Sequence, residues 1–160
     1  MNGGTRYTFQ SPGVGLLWSF GHKWAFAGSV NSSFPIEAAQ DGSSVQLDSV
    51  YALAFALDVT TGIDRWFHLT RQFEFALGPR IHGLYTALQG LPGYRTFQSG
   101  VIGGALAGQL VYTTDRTLLG APVLVGTFLQ SSLDLVDVLH GNRLDYGLSL
   151  LGGFTAGLRW

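Results

Sequence analysis

The sequence predicts an all-β chain: an antiparallel up-and-down transmembrane β-barrel of about eight strands, with residues 1–160 as a single domain. Three observations predict it. Large apolar residues alternate with small or polar ones over stretches far longer than the ~5–6 residues of an ordinary strand. Charged residues make up only 12% of the chain, about half the ~25% of a soluble domain. Short and long connections take turns along the chain, as in a barrel with tight turns on one side of a membrane and loops on the other.

The elements follow in order. Residues 5–20 alternate weakly and are interrupted by Pro12-Gly13; residues 23–36 follow a turn at Gly21-His22. From Val45 to Thr60 the odd positions include Leu47, Tyr51, Leu53, Phe55, Leu57 and Val59, and the even ones Asp48, Ala52, Ala54, Ala56 and Asp58. Thr61 to Asp64 read as a short turn. Phe67, Leu69, Arg71, Phe73, Phe75 and Leu77 then alternate with Trp66, His68, Thr70, Gln72, Glu74 and Ala76. Residues 96–112 and 117–131 flank a second short turn at Thr113 to Arg116. The last stretch, Leu144 to Trp160, sets Tyr146, Leu148, Leu150, Phe154, Leu158 and Trp160 against Asp145, Ser149, Thr155 and Arg159. A 3.6-residue period would scatter those leucines around a helix. Long loops are expected at 31–44, 82–95 and 132–143. Within the last of these, Ser132–Gly141 reads equally well as a short capped helix.

Three features strain this outline. The segments number seven, whereas single-chain bacterial barrels have even strand counts; the expectation is eight, with residues 5–20 split in two or a strand preceding Met1. Arg71 falls on the apolar face near mid-span, where facing lipid costs roughly 2–4 kcal/mol. Pro122 removes a ladder donor, so a local irregularity is expected there.

The candidate site is the polar inward face, a network of Asp48, Asp58, His68, Gln72, Glu74, Asp145 and Arg159. Unpaired charges in a lumen are costly, so these side chains form either a plug of ion pairs or a polar path for water and ions. An Asp58–Arg159 contact is open to them if their strands are close. Trp24, Trp66 and Trp160 would share one rim as an aromatic girdle. The glycines at 100, 103, 104 and 108 lack the strand–turn–helix frame of a nucleotide loop, and they fit a strand lining a narrow lumen. Four histidines are present; His140 follows Ser131, Ser132 and Asp134 closely, a faint echo of a hydrolase constellation. The chain has no cysteine and shows no metal-ligand spacing, so no metal or cofactor is expected. A net charge of −1 offers no basic stripe for nucleic acid.

In pattern the chain resembles the small barrels of the OmpA and OmpX families. Trp160 supplies the terminal aromatic residue, and Leu158, Ala156 and Phe154 the alternating apolar steps before it, an ending that the barrel assembly machinery reads; the glycine of that signal is not at its usual step. The resemblance implies a fold and a compartment, the bacterial outer membrane, with the export signal absent from this chain. It implies lipid, lipopolysaccharide and the assembly machinery as partners, and no activity. The expected role is structural or loop-mediated recognition. Alternatives are a small passive pore, an outer-membrane lipid-modifying hydrolase, and a soluble lipocalin-like barrel enclosing a hydrophobic ligand.

Overall fold

The structure, a computed structural model, describes residues 6–20, 23–40, 43–93, 95–139 and 143–159. Among them run β1 (Arg6–Gln10), β2 (Gly13–Phe20), β3 (Trp24–Gln40), β4 (Ser43–Gln46), β5 (Tyr51–His68), β6 (Phe73–Gly90), β7 (Phe97–Leu118), β8 (Ala121–Asp137) and β9 (Arg143–Leu158). All ladders are antiparallel, and the path through the sheet is β1-β3-β5-β6-β7-β8-β9. β2 pairs with the first half of β3 and β1 with its second half. Pro12-Gly13 therefore does interrupt residues 6–20, but the two pieces continue one ribbon, bridged where Ser32 N donates to Pro12 O at 2.9 Å. β4 and β5 likewise line up along the other side of β3, joined by a 3-10 turn at Leu47–Ser49.

The result is an up-and-down meander of seven ribbons, the number of members in the sheet path. No described pairing joins β9 to β1 or β2, so the expected closed barrel of eight strands is here an open sheet.

The two faces of this sheet are inverted relative to a soluble protein. On β5 the even positions Ala56, Asp58, Thr60, Asp64 and Trp66 are buried, while Val59, Ile63 and Phe67 on the other face are exposed. β6 repeats the pattern, with Glu74, Ala76 and His82 buried and Phe73, Leu77, Ile81 and Tyr85 exposed. No second sheet or α-helix covers the buried face among the described residues, so the sheet shields it by curling on itself. Small side chains make the curl feasible: Ala25, Ala27, Ala56, Ala76 and Ala107 are all buried there. Most of the Leu, Ile, Val and Phe residues, large side chains that sit well on a pleated surface, lie on the convex side, while Leu88, Val101 and Val111 are buried.

Several turns sit elsewhere than the sequence suggests. Thr61 to Asp64 is mid-strand in β5, and the chain reverses at 69–72 instead. There Thr70 Oγ1 accepts from the backbone N of Gln72 (3.3 Å) and of Phe73 (3.0 Å), the local capping that makes threonine a turn former. Arg71 thus lies exposed in a turn, which removes the conflict of an arginine facing outward at mid-span. β7 runs through 113–116 with a bulge between Thr113 and Thr117 opposite Pro122, the irregularity that Pro122 demands. Its true turn is Leu119-Gly120, both at positive φ (53° and 80°), the mirror-image geometry that suits a right-twisted hairpin. β3, β6 and β8 extend through most of the expected long loops, to Gln40, Gly90 and Asp137, so no helix forms within 132–139. The Gly21-His22 turn lies outside the described residues.

Candidate functional site

Charged side chains inside the curl meet in three clusters spaced along it. The deepest lies at mid-sheet. His82 on β6 is 1% exposed. Its Nε2 is 2.7 Å from Asp58 Oδ2 on β5, and its Nδ1 is 3.2 Å from Asp134 Oδ1 on β8. The second approach is an ionic contact whose angle falls short of a hydrogen bond. Asn31 Nδ2 donates to the other Asp58 oxygen at 3.3 Å, and the Ser29 and Thr60 hydroxyls meet at 2.7 Å beside it.

His82 reaches Asp134 across the whole width of β7, and glycine makes that reach possible. In the ladders Gly103 stands between them, opposite His82 on one side and Asp134 on the other. A Cβ at Gly103 would lie 1.8 Å from Leu133 O and 2.9 Å from Asp134 Cα. At Gly147, the β9 partner of Asp134, a Cβ would lie 2.6 Å from Asp134 Oδ2. At Gly103 the obstacle is backbone, so a side chain is excluded by close approach, whereas at Gly147 a side chain would push the Asp134 carboxylate aside.

The second cluster pairs Asp64, 1% exposed, with Arg80: Arg80 Nη2 donates to Asp64 Oδ2 at 2.7 Å, and Gln109 Nε2 donates to the same oxygen at 3.4 Å. The third, at the short-turn end, centres on Glu74. Its Oε2 accepts from Arg159, and its Oε1 is 2.7 Å from His68 Nδ1. The Arg159 guanidinium also lies 5.7 Å from the Trp66 ring centre, a cation–π distance. The four carboxylates of these clusters (Asp58, Asp64, Glu74, Asp134) therefore face two arginines and two histidines, and a further buried carboxylate, Asp137, accepts from Ser99 Oγ at 3.2 Å and from Leu139 N at 2.9 Å. Pairing offsets the desolvation that each would otherwise suffer, and the clusters fasten together strands two or three ladders apart.

Of the residues picked from the sequence, Asp58 and Glu74 are inside, and Arg159 joins Glu74 rather than Asp58. His68 and Gln72 sit at the exposed short-turn edge, where Gln72 Nε2 donates to Asp115 at 3.2 Å. Asp48 lies on the exposed 3-10 turn, away from the clusters. The Asp145 side chain, Trp160 and His140 lie outside the described residues. Trp24 is exposed on the outer face, but Trp66 is buried on the inner face beside Arg159, because it shares the parity of Asp58 and Asp64. Phe154, 89% exposed, and Leu158 pair with Thr127 and Val123 on β8. Sequence reasoning missed Asp64, Arg80, His82, Gln109 and Asp134. The alternation from Phe73 continues through Ile81 to Tyr85 and would have carried Arg80 and His82 inward.

Chemically, the mid-sheet cluster does not resemble a nucleophile–base pair. Both ring nitrogens of His82 face carboxylates, which leaves neither to take a proton from a hydroxyl. No group of His, Cys, Asp and Glu suited to a metal ion occurs among the described residues.

The convex face carries aromatic side chains toward both ends. Near the short turns Trp24, Phe26, Phe67 and Phe73 are exposed, Phe67 with Phe75 and Phe73 with Tyr112 at ring distances of 6.1 and 4.8 Å. Near the long loops are Phe34, Tyr85 and Phe97, with Phe34 edge-on to Phe55 at 6.2 Å. On β5, positions 55 and 67 are the ends of this span. At ~3.3 Å per residue that is ~40 Å of strand, or ~28 Å of height at a ~45° tilt. No family model, curated protein or solved structure matches the chain, so the likeness to OmpA- and OmpX-type barrels rests on strand pattern alone.

Proposed function

We propose that the chain is an integral outer-membrane β-barrel protein with a plugged interior, acting structurally or by recognition through its long-loop end. The observation that carries the reading is the inversion of burial: Leu16, Leu129, Leu148 and Phe154 are exposed, while Asp58, Asp64, Glu74 and His82 are buried. Water would penalise that convex face heavily, at ~25 cal/mol per Å² of apolar surface, and acyl chains would not. The ~28 Å between the aromatic ends agrees with the ~25 Å apolar band of such barrels. A barrel binding a hydrophobic ligand would instead line its interior with apolar side chains. With seven ribbons, β2 and β9 run in the same direction. Closure by antiparallel pairs alone therefore takes one further strand between them, making the eight of an OmpA/OmpX-type barrel. Lipopolysaccharide at the long-loop rim and the barrel assembly machinery are the partners this reading entails.

The plug follows from the ion pairs, in which Asp58, Asp64, Glu74 and Asp134 each face a histidine or an arginine on another strand. The test is folding into detergent or lipid vesicles, followed by electrophoresis with and without boiling. A folded barrel migrates differently before and after heating and resists protease in vesicles. Identical migration together with solubility in plain buffer overturns the reading. Flat traces in planar bilayers are expected of the plugged interior, and steady unitary conductance would replace the plug by a pore.

A further inference from the structure

Exposed charge is distributed unevenly between the two ends of the sheet. At the short-turn end Lys23, Arg65, Arg71 and Arg116 are all exposed, with Asp115 as the exposed acid among them. At the long-loop end, among the residues whose side-chain exposure is described (Arg6 and Arg143 are outside that set), the exposed charges are Asp48 and Arg95, and Glu37 is half-buried. The four cations form two corners. Lys23 precedes Trp24, which pairs with Arg65 in the β3–β5 ladder, and Trp66 N donates to Lys23 O at 2.7 Å. The turn bearing Arg71 is tied to the bulge bearing Arg116 through Gln72 Nε2–Asp115 and through Thr113 N donating to Gln72 O at 2.8 Å.

These corners adjoin the aromatic end of the apolar face. The Arg65 guanidinium lies 5.7 Å from the Trp24 ring centre and 5.2 Å from that of Phe67. Cation–π contacts of this kind fix a cation at the depth where indole and phenyl rings meet headgroups. Below the second corner the convex face has an open hollow at Gly108, walled by Leu77, Leu106, Leu110 and Leu129. Cations at headgroup depth above an apolar hollow match the two halves of one kind of molecule.

We propose that the short-turn rim binds anionic phospholipid, with the headgroup phosphate at Arg71 and Arg116 or at Lys23 and Arg65, and an acyl chain in the Gly108 hollow. The proposal rests on the membrane reading above and adds a lipid preference to it. Asp115 opposes the preference within the second corner, where its acceptance of the Gln72 amide takes up part of its charge.

The experiment compares insertion into vesicles of pure phosphatidylcholine with insertion into the same vesicles containing phosphatidylglycerol, at low and high salt. Insertion is scored by heat-dependent migration and protease protection. Each cation near an anionic surface contributes on the order of 1 kcal/mol, about fivefold, before screening. With four cations and one acid, a preference of at least about tenfold for the anionic vesicles at low salt is expected, falling toward unity at about 1 M salt. The combined variant Lys23→Gln/Arg65→Gln/Arg71→Gln/Arg116→Gln should insert into phosphatidylcholine as the parent does and lose the preference. Gly108→Leu fills the hollow and should weaken phosphatidylglycerol co-purification without altering the salt response of insertion. Equal insertion into both vesicles by the parent at low salt overturns the lipid proposal and leaves the membrane reading standing. Insertion into neither overturns both.

Discussion

The cluster around His82 and the cluster around Glu74 both set histidine against carboxylate, yet they sit in different surroundings. His82 is sealed, with Asp58 reaching it from the neighbouring strand and Asp134 reaching it across Gly103, where a side chain would meet the backbone of β8. Glu74 is buried, but its partners His68 and Arg159 have side chains 61% and 40% exposed. Depth and the space around the contact, more than the identity of the ions, decide how strongly such a cluster fastens the strands.

The largest expected effect tests the sealed cluster. His82→Leu leaves Asp58 and Asp134 facing each other across Gly103 without a cation, and should lower the unfolding free energy by about 3–5 kcal/mol. Urea titration in micelles measures it; a loss below about 1 kcal/mol would mean that the two clusters do not differ. Next comes the adjacent residue on the opposite face. Ile81→Arg should cost roughly 2–4 kcal/mol in bilayers if that face meets acyl chains, and an unchanged or improved stability would remove the lipid from the picture. Glu74→Gln should cost about 1 kcal/mol or less, since water already screens its partners. The smallest effect lies outside both clusters. Leu119→Asn relieves a leucine held at positive φ in the β7–β8 turn and should stabilise by about 0.5–1 kcal/mol; a loss instead would assign Leu119 a contact that the isolated turn does not show.

Which residues face in and which face out was legible from alternation alone, because a pleated strand fixes side-chain direction by parity. The ends of the strands were not. Thr61-Gly62-Ile63-Asp64 has the composition of a turn, yet Gly62 lies in mid-strand because a Cβ there would meet Pro79 O at 2.2 Å, and Asp64 lies there because Arg80 faces it. Turn chemistry and close-packed interior chemistry draw on the same small and acidic residues. That ambiguity moved the predicted reversal by several residues, put Arg71 on a lipid-facing position, and assigned His82 and Asp134 to loops. Most of the missed half of the site follows from that one misreading; Gln109 lay in an expected strand and was passed over as an uncharged residue. Trp66 went wrong differently: its position beside a supposed turn suggested a girdle, whereas its parity with Asp58 and Asp64 already sent it inward.

The meander has a consequence for how the chain is made. Every described ladder joins ribbons adjacent along the sequence, so each new hairpin closes only a short loop and adds onto an edge already present. Growth of the sheet never waits for a remote partner. Only closure of the sheet, through the further strand that antiparallel pairing takes, would gather residues more than a hundred positions apart, which concentrates the slow, entropically expensive part of assembly at one place.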